Sequence, residues 1–360
     1  MPDAESFSAV LLEWFAAQAR DLPWRRGYEP YQVWISEIML QQTQVERAVD
    51  FFLRWMHRFP SVAALARAGE DDVLTAWEGL GYYSRARNAL RAARMIMEQH
   101  GGAVPQDYDA LLALPGVGPY TAAAVCAIAY NRPYAAVDAN VRRVFARVFD
   151  LDAPVSETAT SRLIQDQATA LTPQGQARMF SQALMELGAL VCLPRRPRCS
   201  ACPVHAVCEA KRLDIVLERP VPAKAVTSIP IDVATGVLMA QGLVFIQKRL
   251  ATGVWAGLWE FPGGTIEGLE TPEQAVVREF REETGFEVNG LRKLAVVRHG
   301  YTKFRVALHC FCCSLRENLP TSPPVLTAAQ EYRWVSPAEL SRFAFPAGHR
   351  KLIDMTFPTA

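Results

Sequence analysis

From Phe7 to about Cys208 apolar residues return at the spacing of one helical face. Ile38, Val45 and Val49 keep that spacing, and so do Leu90, Met95 and Met97 in a run closed by Gly101-Gly102. A further helix is expected over Asn140–Phe149. Past Arg212 the texture changes. The segment LERPVPAKAVTSIP carries three prolines and reads as a linker. Beyond it come strand-like stretches at Ile229–Ala240, Leu243–Lys248, Leu291–Val297 and Phe304–Leu315, with one clear helix, Pro272–Thr284, among them. Thr271-Pro272-Glu273-Gln274 has the form of a capping box with proline at the first helical position, and Gly285 suits the C-terminal stop. The pattern predicts an all-α region followed by a separate α+β domain.

Composition adds bounds. The chain has 360 residues, half of them apolar. That is long enough for two or three domains and ordinary for a soluble protein. No apolar run approaches the roughly 20 residues that span a bilayer. The N-terminal MPDAESFSAVLLEWF has acids where a secretion signal would carry basic residues, so a cytoplasmic protein is expected. Net charge is +1. Up to Lys211 there are 21 basic and 22 acidic residues, and beyond it 17 and 15. Nucleic-acid binders are usually more basic, so a DNA-binding reading must rest on local sites. Before Lys211 every basic side chain is Arg, with no Lys at all. The plain reading of that preference is a GC-rich genome favouring Arg codons, but its chemical consequence holds either way.

Four cysteines stand out. Cys192, Cys199, Cys202 and Cys208 are spaced C-x6-C-x2-C-x5-C. Thiolates this close bind soft metals, either a zinc ion or a [4Fe–4S] cluster. Cys126, Cys310, Cys312 and Cys313 lie in apolar surroundings and read as buried small side chains. Leu114-Pro-Gly-Val-Gly-Pro-Tyr120 lies between helical stretches. There Gly116 and Gly118 would permit positive φ and close approach, their N–H groups forming an anion site with the next helix. The plain alternative is a Gly-Pro turn. Asp138, in Val-Asp-Ala-Asn-Val-Arg-Arg, reads as the N-cap of the following helix. Gly264-x5-Glu270-x7-Arg278-Glu-Phe-Arg-Glu-Glu-Thr-Gly285 is a complete Nudix box. Its Glu279, Glu282 and Glu283 fall on one helix face, as for Mg²⁺ or Mn²⁺ on a diphosphate, although Glu-rich faces are ordinarily solvated.

These motifs resemble known families. The cysteine spacing after MELGALVC resembles the cluster loop of the endonuclease III superfamily, which implies iron–sulfur rather than zinc and a cluster that is not the hydrolytic catalyst. Arg195, Arg196 and Arg198 inside it could touch phosphates. LPGVG with Asp138 some twenty residues on resembles that superfamily's helix-hairpin-helix and its aspartate. Arg20-Asp-Leu-Pro-Trp-Arg25, Trp34-Ile-Ser-Glu-Ile-Met-Leu-Gln-Gln-Thr-Gln-Val45 and Trp77-Glu-Gly-Leu-Gly-Tyr-Tyr-Ser-Arg-Ala-Arg87 resemble the adenine-DNA glycosylases, the MutY family, almost without a gap from Trp14 to Cys208.

The resemblance implies base-excision repair of adenine opposite 8-oxoguanine or guanine in double-stranded DNA by a monomer, bacterial and nucleoid-associated in use. It makes Glu37 the general acid, Asp138 the stabiliser of the sugar cation, and Tyr120 and Asn140 assisting residues. Glu37 alone would read as a helix-surface acid. Arg25, Gln42, Thr43, Leu80 and Tyr82 would contact DNA with Gly116 and Gly118; Tyr82 and Tyr83 could otherwise be core aromatics. Relatives that cut the strand use a Lys where this chain has Tyr120. With the N-terminal amine the only other candidate, a monofunctional enzyme is implied, and a bifunctional endonuclease III-like lyase is the alternative.

The expected architecture is a multidomain chain. A helical glycosylase region spans 1–211, made of a six-helix module at 22–136 and a cluster module of 1–21 with 137–211. A linker at 212–228 leads to a Nudix-like domain at 229–360. That domain would recognise 8-oxoguanine, with Arg298-His-Gly-Tyr301-Thr302-Lys303-Phe304 as its loop and Thr302 offering a hydroxyl. The family's Nudix-like domain ordinarily lacks a working box, whereas this one is intact. That raises a further expectation, hydrolysis of oxidised nucleotides.

Overall fold

The computed structural model describes residues 4–223, 227–301, 303–316 and 323–358. The chain divides into two compact units, one formed by Met1–Ala68 with Asn88–Ala225, the other by Gly69–Arg87 with Val226–Ala360.

The first unit is helical. Helix Ala4–Gln18 supplies Phe7, Leu11 and Phe15 to a core shared with Ala139–Val148, Thr158–Leu171 and Ala177–Leu190, through Val144, Phe145, Ile164, Phe180, Leu184 and Leu187. Residues from both ends of the unit therefore close one hydrophobic core. Ile38 and Val45 do not share a helix: Pro30–Leu40 ends and Val45–Arg58 begins after a turn in which Gln42 takes φ +58°. The run Leu90–Met97 lies in helix Ser84–Gln99, but Leu90, Ala93 and Ile96 form its buried face while Met97 is exposed. The helix expected over Asn140–Phe149 runs Ala139–Val148, with Asp138 as its cap.

The second unit is built on a mixed seven-stranded sheet: β1 (Ile229–Ala240), β2 (Leu243–Arg249), β3 (Trp259–Glu260), β4 (Gly263–Thr265), β5 (Val288–Tyr301), β6 (Phe304–Leu315) and β7 (Ala329–Val335). The order is β3-β2-β1-β6-β5, with β4 paired to β1 and β7 to β2. β1 and β6 run parallel, from Ile229 opposite Phe304 to Leu238 opposite Cys313. Side chains alternate across the sheet as strand geometry requires. Val237, Val244 and Ile246 face Phe345, Leu352 and Ile353, the last two from helix Ala347–Thr356. Leu238, Phe245 and Phe311 face Ala275, Val276 and Phe280 of helix Pro272–Thr284. The latter helix has the expected capping box at Thr271 and its left-handed stop at Gly285, φ +72°. Gly236 lets it approach: a β-carbon there would lie 2.6 Å from the Phe280 ring.

Sequence periodicity missed β3, β4, β7 and helix Ala347–Thr356. The first two are only two and three residues long. It also drew a single helical module over 22–136, whereas Gly69–Arg87 groups with the strands. Polar contacts fix that segment there: the Tyr83 hydroxyl donates to Phe345 O at 2.9 Å, and Lys248 pairs with Asp71 at 2.7 Å. Cys126, Cys310 and Cys313 are buried as expected, but Cys312 is only half-buried, its thiol donating to Arg292 O.

Candidate active site

Helix Pro30–Leu40 is buried on nearly every side, so Glu37 reaches the interior instead of solvent and keeps only 4% of its surface. Burial raises its pKa from the ordinary 4.5 to about 7; the Tyr120 hydrogen bond opposes the rise, Asp138 adds to it and Arg25 opposes it. The Tyr120 hydroxyl donates to Glu37 Oε2 at 2.7 Å. Desolvation also drives the Tyr120 phenol well above its ordinary value, so it stays a donor.

Tyr120 is placed by the hairpin Leu114–Gly118. Gly116 takes φ +77°, and a β-carbon there would sit 2.5 Å from Asn88 Cβ, so glycine is required twice over. Gly118 departs from the expectation. It caps helix Pro119–Ala124 at φ −93°, a conformation open to any residue, and a β-carbon would meet nothing within 4 Å. What its hydrogen side chain leaves is open space at the helix N-terminus.

Asp138 is both cap and site residue. Its Oδ1 accepts from Val141 N at 2.7 Å and its Oδ2 from Asn140 Nδ2 at 2.8 Å. Burial raises its pKa, and those hydrogen bonds oppose the rise. Asn140 Oδ1 in turn accepts from Arg143 Nη2, which also donates to Gly188 O.

Glu37, Tyr120, Asp138 and Asn140 line one cavity of about 670 Å³, together with Gln42 and Thr43. A group that sequence reasoning passed over, Glu186, also lines it. Burial alone would raise this carboxyl, but hydrogen bonds from Arg20 and Arg25 prevail and hold it at about 2. Arg25, expected on DNA, is turned inward: it donates to Glu186 Oε2 at 3.0 Å and to Arg20 O at 3.0 Å. Two acids in one cavity are thus held near pH 7 and pH 2, one able to give a proton and the other permanently charged. The signal for Glu186 is an acid in the otherwise apolar run MELGALVC, where the closing cysteine carries the more conspicuous motif.

Cys192, Cys199, Cys202 and Cys208 are free and line one small hollow with Val144, Leu187 and Lys211. The fully buried Arg147 aims Nη1 at Cys192 Sγ, 3.3 Å away, and spends its other donors on the carbonyls of Leu193, Pro194 and Arg219. Four thiols on an apolar wall beside a buried cation suit an anionic thiolate-bound group. Among the described residues, no three or more His, Cys, Asp or Glu side chains are gathered as ligands of a single ion.

In the second unit Leu80, expected to meet DNA, is buried at 7% exposure, while Tyr82 stands out at 42%. Tyr83 is the core aromatic of the pair. Thr302 lies outside the described residues; Lys303 sets its ammonium 5.4 Å from the Phe304 ring centre. Glu279 and Glu283 line a second cavity of about 420 Å³ with Gly263 and Gly264. Burial lifts Glu283 to about 7, with Glu260 adding to the rise. Glu282 stands apart from that cavity. Arg278 bonds to Glu270, Glu279 and Glu282 at 2.8, 2.9 and 3.0 Å, so it occupies oxygens a cation would take. Glu260, which opens the stretch Glu-Phe-Pro-Gly-Gly264 leading into the box, and His349, which belongs to no motif in the sequence, also line the cavity. Phe261 N donates to His349 Nδ1 at 3.1 Å, and burial pushes this imidazole down to about 3, so it is neutral.

Family models match two stretches of the chain, the first of which runs through Gly69–Arg87. A model of the HhH-GPD superfamily of base excision DNA repair proteins matches residues 35–168, and a NUDIX domain model matches 234–355. The adenine DNA glycosylase of Mus musculus is 33% identical over 407 residues, covering 98% of this chain and 78% of its own length. That of Homo sapiens is 32% identical, with 97% and 74% covered. That of Mycolicibacterium smegmatis is 46% identical over 197 residues, 54% of this chain and 66% of its own. Among solved structures, a thermostable thymine-DNA glycosylase superposes with a TM-score of 0.54 at 29% identity, over 58% of this chain and 97% of its own. An endonuclease III–DNA complex, with a TM-score of 0.51 at 20% identity over 60% and 99%, shares the fold.

Proposed function

Because the chain belongs to the adenine DNA glycosylase family, we propose that its helical unit removes adenine opposite 8-oxoguanine or guanine by acid-assisted hydrolysis of the N-glycosidic bond. The carrying observation is the Tyr120–Glu37 hydrogen bond in a cavity that also holds Asp138. An adenine must leave the stack to enter it. It departs poorly as an anion, so the ring needs a proton as the bond breaks. With Tyr120 bonded to Oε2, Glu37 keeps Oε1 for the transferable proton. Asp138, held by Val141 N and Asn140, presents a fixed negative charge to the oxocarbenium-like sugar, the division of labour of two-carboxylate glycoside cleavage. Water adds at the sugar carbon and its released proton replaces the one Glu37 gave.

Strand cutting is not part of this reading. No lysine precedes Lys211, and Lys211 lines the cysteine hollow. Cys192, Cys199, Cys202 and Cys208 would hold a [4Fe–4S] cluster, which would supply charge and cross-links to residues 192–208.

The test is excision on duplexes bearing A opposite 8-oxoguanine, G, C or T, with and without alkali, with Glu37→Gln as the blank. Turnover on the first two that yields strand breaks only after alkali is expected; breaks without alkali would favour the lyase reading.

The C-terminal unit would read 8-oxoguanine in the duplex. One observation favours a second activity for it: Glu260, Glu279 and Glu283 share a cavity with the Gly263–Gly264 wall, a setting for Mg²⁺ or Mn²⁺ on a nucleoside triphosphate. Incubation with Mg²⁺ and 8-oxo-dGTP decides it, and no turnover above a Glu283→Gln control ends the hydrolase idea.

A further inference from the structure

The turn after helix Glu70–Trp77 is strained and tied down at both shoulders. Gly79, Gly81 and Tyr82 have φ of +100°, +74° and +46°. Only glycine adopts such values freely, so Tyr82 is held there by its surroundings. Trp77 Nε1 and Arg85 Nη2 both donate to Gly81 O, at 3.0 and 3.1 Å, and Arg85 also donates to Leu80 O at 3.0 Å. The Arg85 guanidinium lies 5.8 Å from the Tyr82 ring centre. The result is one exposed aromatic ring on a turn with little freedom, a form suited to stacking on a nucleobase.

The shoulders of the turn grip a single residue. Phe345 N donates to Glu78 Oε1 at 3.1 Å, and Phe345 O accepts from the Tyr83 hydroxyl at 2.9 Å. Both backbone polar groups of Phe345 are thus taken by the turn. Arg350 closes the arrangement, donating to Glu78 through Nε at 2.8 Å and Nη2 at 3.1 Å, and to Phe343 O at 2.7 Å. Arg350 sits one residue after His349, in the first turn of helix Ala347–Thr356, and Gly348 and His349 line the 420 Å³ cavity. One helical turn therefore faces the cavity with two residues and the Tyr82 turn with the next.

We propose that Glu78, Tyr83 and Arg350 are positioning residues. They set the Tyr82 ring according to the state of the C-terminal unit, so that the lesion-reading unit aims the side chain that probes the base stack. Preference for 8-oxoguanine over guanine opposite adenine then depends on the clamp as well as on direct contacts to the lesion. This rests on the reading that Tyr82 meets DNA, and the test separates the two.

Single-turnover excision is measured on A opposite 8-oxoguanine and A opposite G for Tyr82→Ala, Glu78→Gln, Tyr83→Phe and the double variants with Tyr82→Ala, alongside melting temperature. Duplex affinity is measured for each in a Glu37→Gln background. Glu78→Gln and Tyr83→Phe each remove one interaction from a segment that stays packed. Each is expected to cut the preference for 8-oxoguanine by about fivefold or more, and to add nothing once Tyr82 is alanine, a coupling that plain loss of stability does not produce. If Tyr82→Ala weakens binding but both clamp variants keep wild-type preference, or if their losses add in full, the clamp is overturned. If Tyr82→Ala changes neither affinity nor preference, the DNA-facing reading of the turn fails, and the inference with it.

Discussion

Gly188 lies against Asn140 so closely that a β-carbon on the glycine would come within 2.5 Å of Asn140 Cβ and 3.1 Å of its backbone. Helix Ala177–Leu190 thereby presses on the first turn of helix Ala139–Val148. Asn140 in turn donates to Asp138 Oδ2 at 2.8 Å, so a glycine on another helix helps set the site carboxylate. Gly188→Ala should shift Asn140 and Asp138 together. Overpacking of this kind costs about 1–3 kcal/mol. Excision should fall at least about tenfold, because small misplacements at a reacting centre are expensive, while duplex affinity changes little. Single-turnover rates beside binding isotherms check it; equal losses in both would mean the glycine serves only the fold.

Glu37 must be protonated to act, and it is buried with a pKa of about 7. Excision should therefore decline as pH rises through 7, approaching tenfold per pH unit above it. Stability should follow the same group. Its folded pKa lies above the ordinary 4.5, so the folded state holds the proton more tightly. The stabilisation is complete below 4.5 and is lost as pH rises from there through 7. Between pH 5 and pH 8, Glu37→Gln should therefore gain about 2–4 kcal/mol on the wild type, since each tenfold difference in proton affinity is worth about 1.4 kcal/mol. Chemical denaturation at the two pH values reads this directly, and equal stability differences at both would contradict it.

Glu186 controls the same titration at one remove. Arg25 lowers the Glu37 pKa, and Glu186 neutralises Arg25 through a 3.0 Å ion pair. Glu186→Gln should leave the Arg25 charge uncompensated and move the alkaline limb of the pH–rate profile to lower pH. The rate should drop most above pH 7 and least near pH 5. A uniform drop at every pH would show that Glu186 acts through positioning alone.

Arg147 is 1% exposed and joins Cys192 Sγ to three backbone carbonyls. Arg147→Gln strips several of these buried acceptors of their donor, each at about 1–3 kcal/mol. Iron content and visible absorbance per protein should fall, more steeply on storage in air than for wild type. Full iron retention with an unchanged melting temperature would show that the arginine is dispensable to the cysteine hollow.

Much of the site could be read along the chain because its motifs are local. Asp138 is followed directly by the helix it caps, the four cysteines fall within seventeen residues, and Pro272–Thr284 carries its own start and stop signals. The surroundings of a residue whose partners are distant in the chain are not legible in this way: Leu80 is buried and Arg25 is paired with Glu186, while Gly118 needs no positive φ. Glu186 and His349 carried no motif of their own; burial and neighbours far along the chain make them notable.

The sequence by itself determined the two kinds of unit, the cysteine set, the intact Nudix box and the pair of acids. Periodicity, capping and motif spacing are properties of neighbouring residues. Only the tertiary structure decided that Glu37 is a desolvated acid bonded to Tyr120, that Glu186 beside it stays charged, and that Gly69–Arg87 joins the strand-built unit. The reason is physical. A pKa is set by what surrounds a carboxyl in space, and a segment belongs to whichever core and hydrogen-bond partners its side chains find.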